Sequence, residues 1–140
     1  MTTEYKKPLP YINNETKTYW DGARSHELLL RRCRACGQYH FYPRDFCPAC
    51  FSFDVEWVNA SGRGTVYSVT ICHLPAAGFK DLVPYNLVLV ELEEGPRMMS
   101  NIVDCPNEDI KIGLPVEVTF DDVVVEVVDR TGLVAGLGVL

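Results

Sequence analysis

Cys33-Arg34-Ala35-Cys36-Gly37, followed after ten intervening residues by Cys47-Pro48-Ala49-Cys50, is the stretch on which the reading of this chain turns. Two residues between cysteines let a tight turn aim both sulfurs at one point, and Gly37 supplies the positive φ that such a knuckle needs. Two facing knuckles place four thiolates in a tetrahedron, the coordination that zinc takes in closed structural sites. Cys33, Cys36, Cys47 and Cys50 are therefore the expected metal ligands. Four protein ligands leave no position for substrate or water, so the expected metal holds a fold and does no chemistry.

Other uses of the four cysteines read less well. Met1 to Pro10 is polar and lacks the apolar core of a secretory signal, so reduced thiols and a cytoplasmic location are expected rather than disulfides. Thioredoxin-like chemistry wants a single C-x-x-C opening a helix. Iron is the sharper rival. C-x-x-C-G with C-P-x-C resembles the knuckles of rubredoxin, and tetrahedral thiolates suit both metals. Here Phe51 stands where the second rubredoxin pair usually has glycine. Zinc is favoured, with iron kept open, because nothing else in the chain points to electron transfer.

The surroundings divide unevenly. Of 140 residues, 47% are hydrophobic, enough for a packed core without disulfides, and the formal net charge is −6. Residues 1–50 carry a balance of +3 and residues 51–140 one of −9. An acidic second half is a poor match to a phosphate backbone, whose binding runs on displaced counterions. No apolar run approaches the roughly 20 residues of a membrane span.

Along the chain, residues 1–10 read as a loose arm. Asn13 and Asn14 are good N-caps, and the spacing of Ile12, Thr16, Tyr19, Trp20 and Ala23 predicts a helix near 14–24 whose aromatic pair packs inward. Gly22 weakens its last turn. Glu27–Arg32 and His40–Tyr42 read as ribbon strands. Val55–Val58 and Thr65–Cys72 read as strands joined by a Ser61-Gly62-Arg63-Gly64 turn. A loop with Pro75, Gly78 and Pro84 follows. Asn86–Leu92 and Arg97–Val103 flank the turn Glu93-Glu94-Gly95-Pro96. Pro106–Ile110 forms a helical turn, and Val116–Phe120 and Val123–Val128 a hairpin about Asp121-Asp122. The expected fold is mainly β. An N-terminal helix and zinc ribbon occupy residues 1–60. A five-stranded OB-fold barrel fills 61–140 and ends in an apolar tail, Gly132–Leu140, that is either a last strand or a docking segment.

This order of features resembles a family of acyl-CoA-associated proteins with a rubredoxin-like zinc ribbon followed by an OB-fold, long catalogued as a domain of unknown function. The resemblance rests on Tyr19-Trp20 with Gly22, Leu28 to Cys33, the cysteine pairs, Gly62-Arg63-Gly64-Thr65-Val66-Tyr67-Ser68, Pro84-Tyr85, Leu89 to Gly95, and Ile112 to Val118. It implies a non-catalytic accessory subunit in a hetero-oligomer with a thiolase-type or other acyl-CoA enzyme, helping to assemble the complex and to position or pass the CoA thioester. Under that reading Arg24, Arg31, Arg32, Arg34, Arg44 and Arg63 are candidate contacts to CoA phosphates; the plainer reading is that they offset thiolate charge.

No catalytic constellation offsets this picture. Cys72 and His73 are neighbours, which on a strand point to opposite faces, and Cys105 has no basic neighbour to activate it. No activity is expected of the chain alone. Two further classes stay open: a nucleic-acid-binding ribbon and barrel, which would need a basic groove with stacking aromatics, and a rubredoxin-like electron carrier.

Overall fold

In the computed structural model, residues 10–123 and 132–139 are described, with side chains as far as residue 120. The expected arm over 1–10 and strand Val123–Val128 lie outside them, save for residues 10 and 123.

One helix, α1, spans Lys17–Arg24. It starts later than the periodicity predicts, with Thr16 rather than Asn13 or Asn14 at the N-cap, and Asn13 braces the turn before it. The Asn13 Oδ1 accepts from the Thr16 N–H at 2.9 Å, the Thr16 Oγ1 accepts from the Asn13 N–H at 3.1 Å, and the Asn13 carbonyl accepts from the Lys17 N–H. This reciprocal pair satisfies donors that a helix start leaves orphaned. The helix ends with His26 at φ 59, the Glu27 N–H bonded to the Gly22 carbonyl and the His26 N–H to that of Ala23, a Schellman stop without a glycine. Gly22 answers a packing demand instead, since a Cβ there would lie 2.6 Å from Leu29 Cδ1.

The ribbon is a three-stranded antiparallel sheet in the order β2-β1-β3, from β1 (Leu29–Cys33), β2 (Tyr39–His40) and β3 (Val55–Asn59). The second sheet runs β6-β5-β4-β8-β9-β7, from β4 (Arg63–Cys72), β5 (Tyr85–Leu92), β6 (Arg97–Ser100), β7 (Ile102–Val103), β8 (Pro115–Val123) and β9 (Gly132–Val139). A bulge between Val66 and Ser68 bends β4, the usual device for curling a sheet. The two ends of the sheet adjoin in the chain: β6 pairs with β5 as far as Ser100, and β7 leaves it to pair parallel with β9, Ile102 against Leu137. The third strand of an OB-fold is thus split at Asn101, one half on each neighbour.

Two local readings are corrected. The connection expected at Ser61 to Gly64 does lie between two strands, but it is shorter, since Arg63 and Gly64 already lie in β4, and β3 belongs to the ribbon sheet. Asp121-Asp122 is no turn: both residues sit in β8, in register with Val134 and Leu133 of β9. Pairing along the whole of β9 outweighs the local turn preference of an acidic pair. The tail as far as Val139 is accordingly a strand of the barrel. The helical turn expected at Pro106–Ile110 is a short 3-10 turn at Asn107–Asp109.

A single core joins ribbon to barrel. Tyr19, Leu28 and Leu30 cluster with Val66, Val88, Val90, Leu92, Met98, Ile102, Ile110 and Val116. Strand β5 alternates strictly, Asn86, Val88, Val90 and Leu92 inward. Trp20 packs against this cluster with its ring edge-on to Tyr19 at 4.9 Å, so the aromatic pair packs as expected.

Candidate metal centre

The two knuckles are built alike, as if related by a twofold. The Gly37 N–H bonds to the Cys33 carbonyl at 2.8 Å and the Phe51 N–H to that of Cys47 at 2.8 Å; the Cys33 N–H bonds to the Gln38 carbonyl and the Cys47 N–H to that of Ser52. Gly37 takes φ 77 and Phe51, at the matching position, φ 63. Glycine fits that conformation at no cost, whereas a phenylalanine there stores strain.

The four sulfurs lie within 4.8 Å of one another. Cys33 Sγ is 3.6 Å from Cys50 Sγ, and Cys36 Sγ is 3.6 Å from Cys47 Sγ, far beyond the ~2.05 Å of a disulfide. A tetrahedron with metal–sulfur bonds of about 2.3 Å has edges of about 3.8 Å, so the cluster fits a zinc-sized cation. Cys33 and Cys47 are buried and Cys36 and Cys50 exposed.

Electrostatics agree with a cation at the centre. Backbone N–H groups aim at the sulfurs. The one from Cys36 is foremost in holding the Cys33 thiol down to about 7, and the one from Cys50 lowers Cys47. For Cys50 the Ser52 N–H also pulls downward, but contact with Cys33, desolvation and the other two sulfurs push it up to about 12. Cys36 likewise rises despite the Gln38 N–H, through desolvation and its contacts with Cys47 and Cys33. Four crowded sulfurs cannot all ionise against one another; a divalent cation removes that conflict.

Arginines surround the ribbon, and their partners are carboxylates. The Arg31 guanidinium is buried, 4.4 Å over the Trp57 ring, with Nε donating to the Arg44 carbonyl and NH2 3.6 Å from Asp45. Arg34 pairs with Glu56 at 3.1 Å and Asp54 at 3.3 Å, Arg32 lies 4.0 Å from Glu56, and Arg44 lies 3.4 Å from Glu15. Arg24 sits in the last turn of α1, and Arg63 opens β4 beside a cleft of about 430 Å³ that also holds Glu91 and Glu93. His40 stands outside the sulfur set, its Nε2 donating to the Arg44 carbonyl at 3.3 Å. Cys72 ends β4 opposite Tyr85, and His73 follows it, exposed.

Sequence reasoning missed two features. One is Asn86, whose side chain bridges the split in the third strand. The other is a group of three phenylalanines at the ribbon tip, of which only Phe51 had left a signal, as the residue in a glycine's place.

Residues 20–56 match the family described as ChsH2, rubredoxin-like zinc ribbon domain, and residues 57–121 match ChsH2, C-terminal OB-fold domain. A DUF35 domain-containing scaffold protein from Methanothermobacter thermautotrophicus is 40% identical over 110 residues, 78% of this chain and 83% of that protein. A probable enoyl-CoA hydratase alpha subunit from Thermomonospora curvata is 38% identical over 110 residues; these make up 79% of this chain but only 34% of that protein. The benzoylsuccinyl-CoA thiolase subunit BbsA from Thauera aromatica is 33% identical over 83 residues, 59% of this chain and 56% of that subunit. Among solved structures, a chain of the Ltp2-ChsH2(DUF35) aldolase superposes with a TM-score of 0.78 at 32% identity, covering 93% of this chain and 98% of that one. The chain belongs to the ChsH2 (DUF35) family of zinc-ribbon and OB-fold proteins.

Proposed function

We propose that this member of the family is an accessory subunit of an acyl-CoA-processing enzyme, most readily of the thiolase type, holding its partner in the active assembly and helping to position or pass the thioester. The observation that carries the reading is the end-to-end likeness to the ChsH2 component of an aldolase. The hydratase and thiolase subunits among its relatives add to it. The four-sulfur cluster supports it from the side of chemistry. Once Cys33, Cys36, Cys47 and Cys50 are all bound, the metal has no open position and serves the fold.

The metal is zinc in this reading, on the donor set and the tetrahedral fit, and it does no redox work. Free cysteines throughout the described residues suit a cytoplasmic protein, and no helix there is long and apolar enough to cross a membrane. The six arginines remain candidates for CoA phosphates, but carboxylates already pair with Arg31, Arg32, Arg34 and Arg44.

Co-expression with thiolase-, hydratase- and aldolase-type subunits of the same source organism tests the assignment. A stable complex with one of them, containing stoichiometric zinc and turning over an acyl-CoA that neither subunit processes alone, is the expected result. Failure to associate with any of the three, or turnover by this chain alone, overturns it.

A further inference from the structure

Between Asp45 and Asp54 the chain runs through eight residues without a Lys, Arg, Asp or Glu, Phe46 to Phe53. Two phenylalanines project there, Phe51 and Phe53 at 72% and 81% exposed, and a half-buried third backs them: the Phe46 ring lies 6.4 Å from that of Phe51 and 6.5 Å from that of Phe53. Phe rings are ordinarily core residues, and a cluster of them in water marks an interaction site. Phe51 adds a second sign. It holds φ 63 at the position where the twin knuckle has Gly37, so a bulky ring is kept where folding alone favours glycine, and retained strain of this kind gathers at functional sites.

Charge identifies the occupant. The flanking carboxylates Asp45 and Asp54 face Arg31 and Arg34 of the same ribbon, so no cation of this stretch is left pointing outward with the rings. Beside them Cys36 and Cys50 are exposed, and four thiolates outweigh a divalent cation by two negative charges. A polyanion, whether a nucleic acid or an anionic membrane, would meet apolar rings next to negative charge and no basic groove. An apolar pocket rimmed by Lys or Arg meets both features.

We infer that Phe46, Phe51 and Phe53 are the anchor by which the ribbon docks into an apolar, basic-rimmed pocket on the partner enzyme subunit. The inference rests on the accessory-subunit reading and names the surface that makes the contact. The rings fill the pocket, and the exposed sulfur edge faces the partner's cations.

The test uses the full chain loaded with zinc and the double variant Phe51→Gly/Phe53→Ser. Glycine suits the backbone at 51, and position 53 is exposed, so zinc content and unfolding temperature should match the wild type. The probe is whichever thiolase-, hydratase- or aldolase-type subunit the wild type binds, with affinity measured by interferometry. Loss of at least about 30-fold, the scale of an interface hot spot, is expected. Equal affinity of variant and wild type overturns the anchor while leaving the accessory function intact. A wild type that binds none of the three subunits removes both. Phe-dependent binding to a labelled single-stranded oligonucleotide or to phosphatidylglycerol vesicles, or Phe-dependent dimerisation of the chain itself, also overturns it.

Discussion

Replacing Asn86 by leucine should loosen the barrel where it closes. Asn86 is 6% exposed. Its Nδ2 donates to the Ile102 carbonyl at 2.8 Å and to Asn107 Oδ1 at 3.2 Å, and its Oδ1 accepts from the Ile102 N–H at 2.6 Å. Asn101 in turn donates its side-chain N–H to the Asn86 carbonyl. The side chain thus stands in for a strand: it pairs both polar groups of Ile102 on the side where the split third strand has left β5. Leucine is of similar size but offers nothing to bond. Each buried backbone group left unpaired costs about 1–3 kcal/mol, so two cost about 4 kcal/mol, from which the added apolar burial returns about 1 kcal/mol. A net loss of about 3 kcal/mol lowers the unfolding temperature by about 10 °C in a domain of this size. Calorimetry with zinc content checked in parallel is the assay, and faster amide exchange at Ile102 locates the effect. Asn86→Asp gives a control of the same shape. Its carboxylate can accept from the Ile102 N–H but opposes the Ile102 carbonyl, so burial and the lost donor raise its folded pKa above the ordinary value near 3.9. The raised pKa means the protonated form, which can donate, is the better tolerated: the variant should be nearest to wild type below about pH 4 and worst at neutrality. If Asn86→Leu melts within about 2 °C of wild type, or Asn86→Asp shows no pH-dependent gap, the bridging role is wrong.

Other perturbations have equally definite outcomes. Cys50→Ser should abolish tight zinc binding, and because Tyr19, Leu28 and Leu30 share a core with the barrel, chelation should lower the melting of the whole chain; a ribbon transition that leaves a barrel transition unmoved would contradict the shared core. Zinc added to the metal-stripped chain at pH 7 should release protons, since Cys36 and Cys50 are held high without a cation; titration heats that do not depend on the ionisation heat of the buffer would refute this. Gly64→Ala should cost about 1–3 kcal/mol, because the new Cβ would lie 2.6 Å from the Glu91 carbonyl oxygen across the β4–β5 ladder; an unchanged denaturation midpoint would show that the ladder can give.

The local chemistry of the chain was legible in the order of its residues. Four cysteines at that spacing, a glycine after the first pair and the Glu93-Glu94-Gly95-Pro96 turn each act within a few residues of themselves, so they specify knuckle and hairpin without reference to the rest; which face of the apolar run Asn86–Leu92 is buried came only from the fold. Tyr19 as a core residue was readable for the same reason. What the sequence could not decide depends on partners far along the chain. Asp121 and Asp122 carry a turn signal that pairing with β9 overrides. The third strand breaks at Asn101 because a closed sheet gives its two halves different neighbours, and Asn86 matters only because that break falls beside it. Arginines that look available in a list are engaged once Glu15, Asp45, Asp54 and Glu56 fold against them. Phe51 and Phe53, apolar enough to be read as interior, end outside with Phe46 half-buried beside them, because two short knuckles close around four sulfurs and leave little volume behind them for the rings.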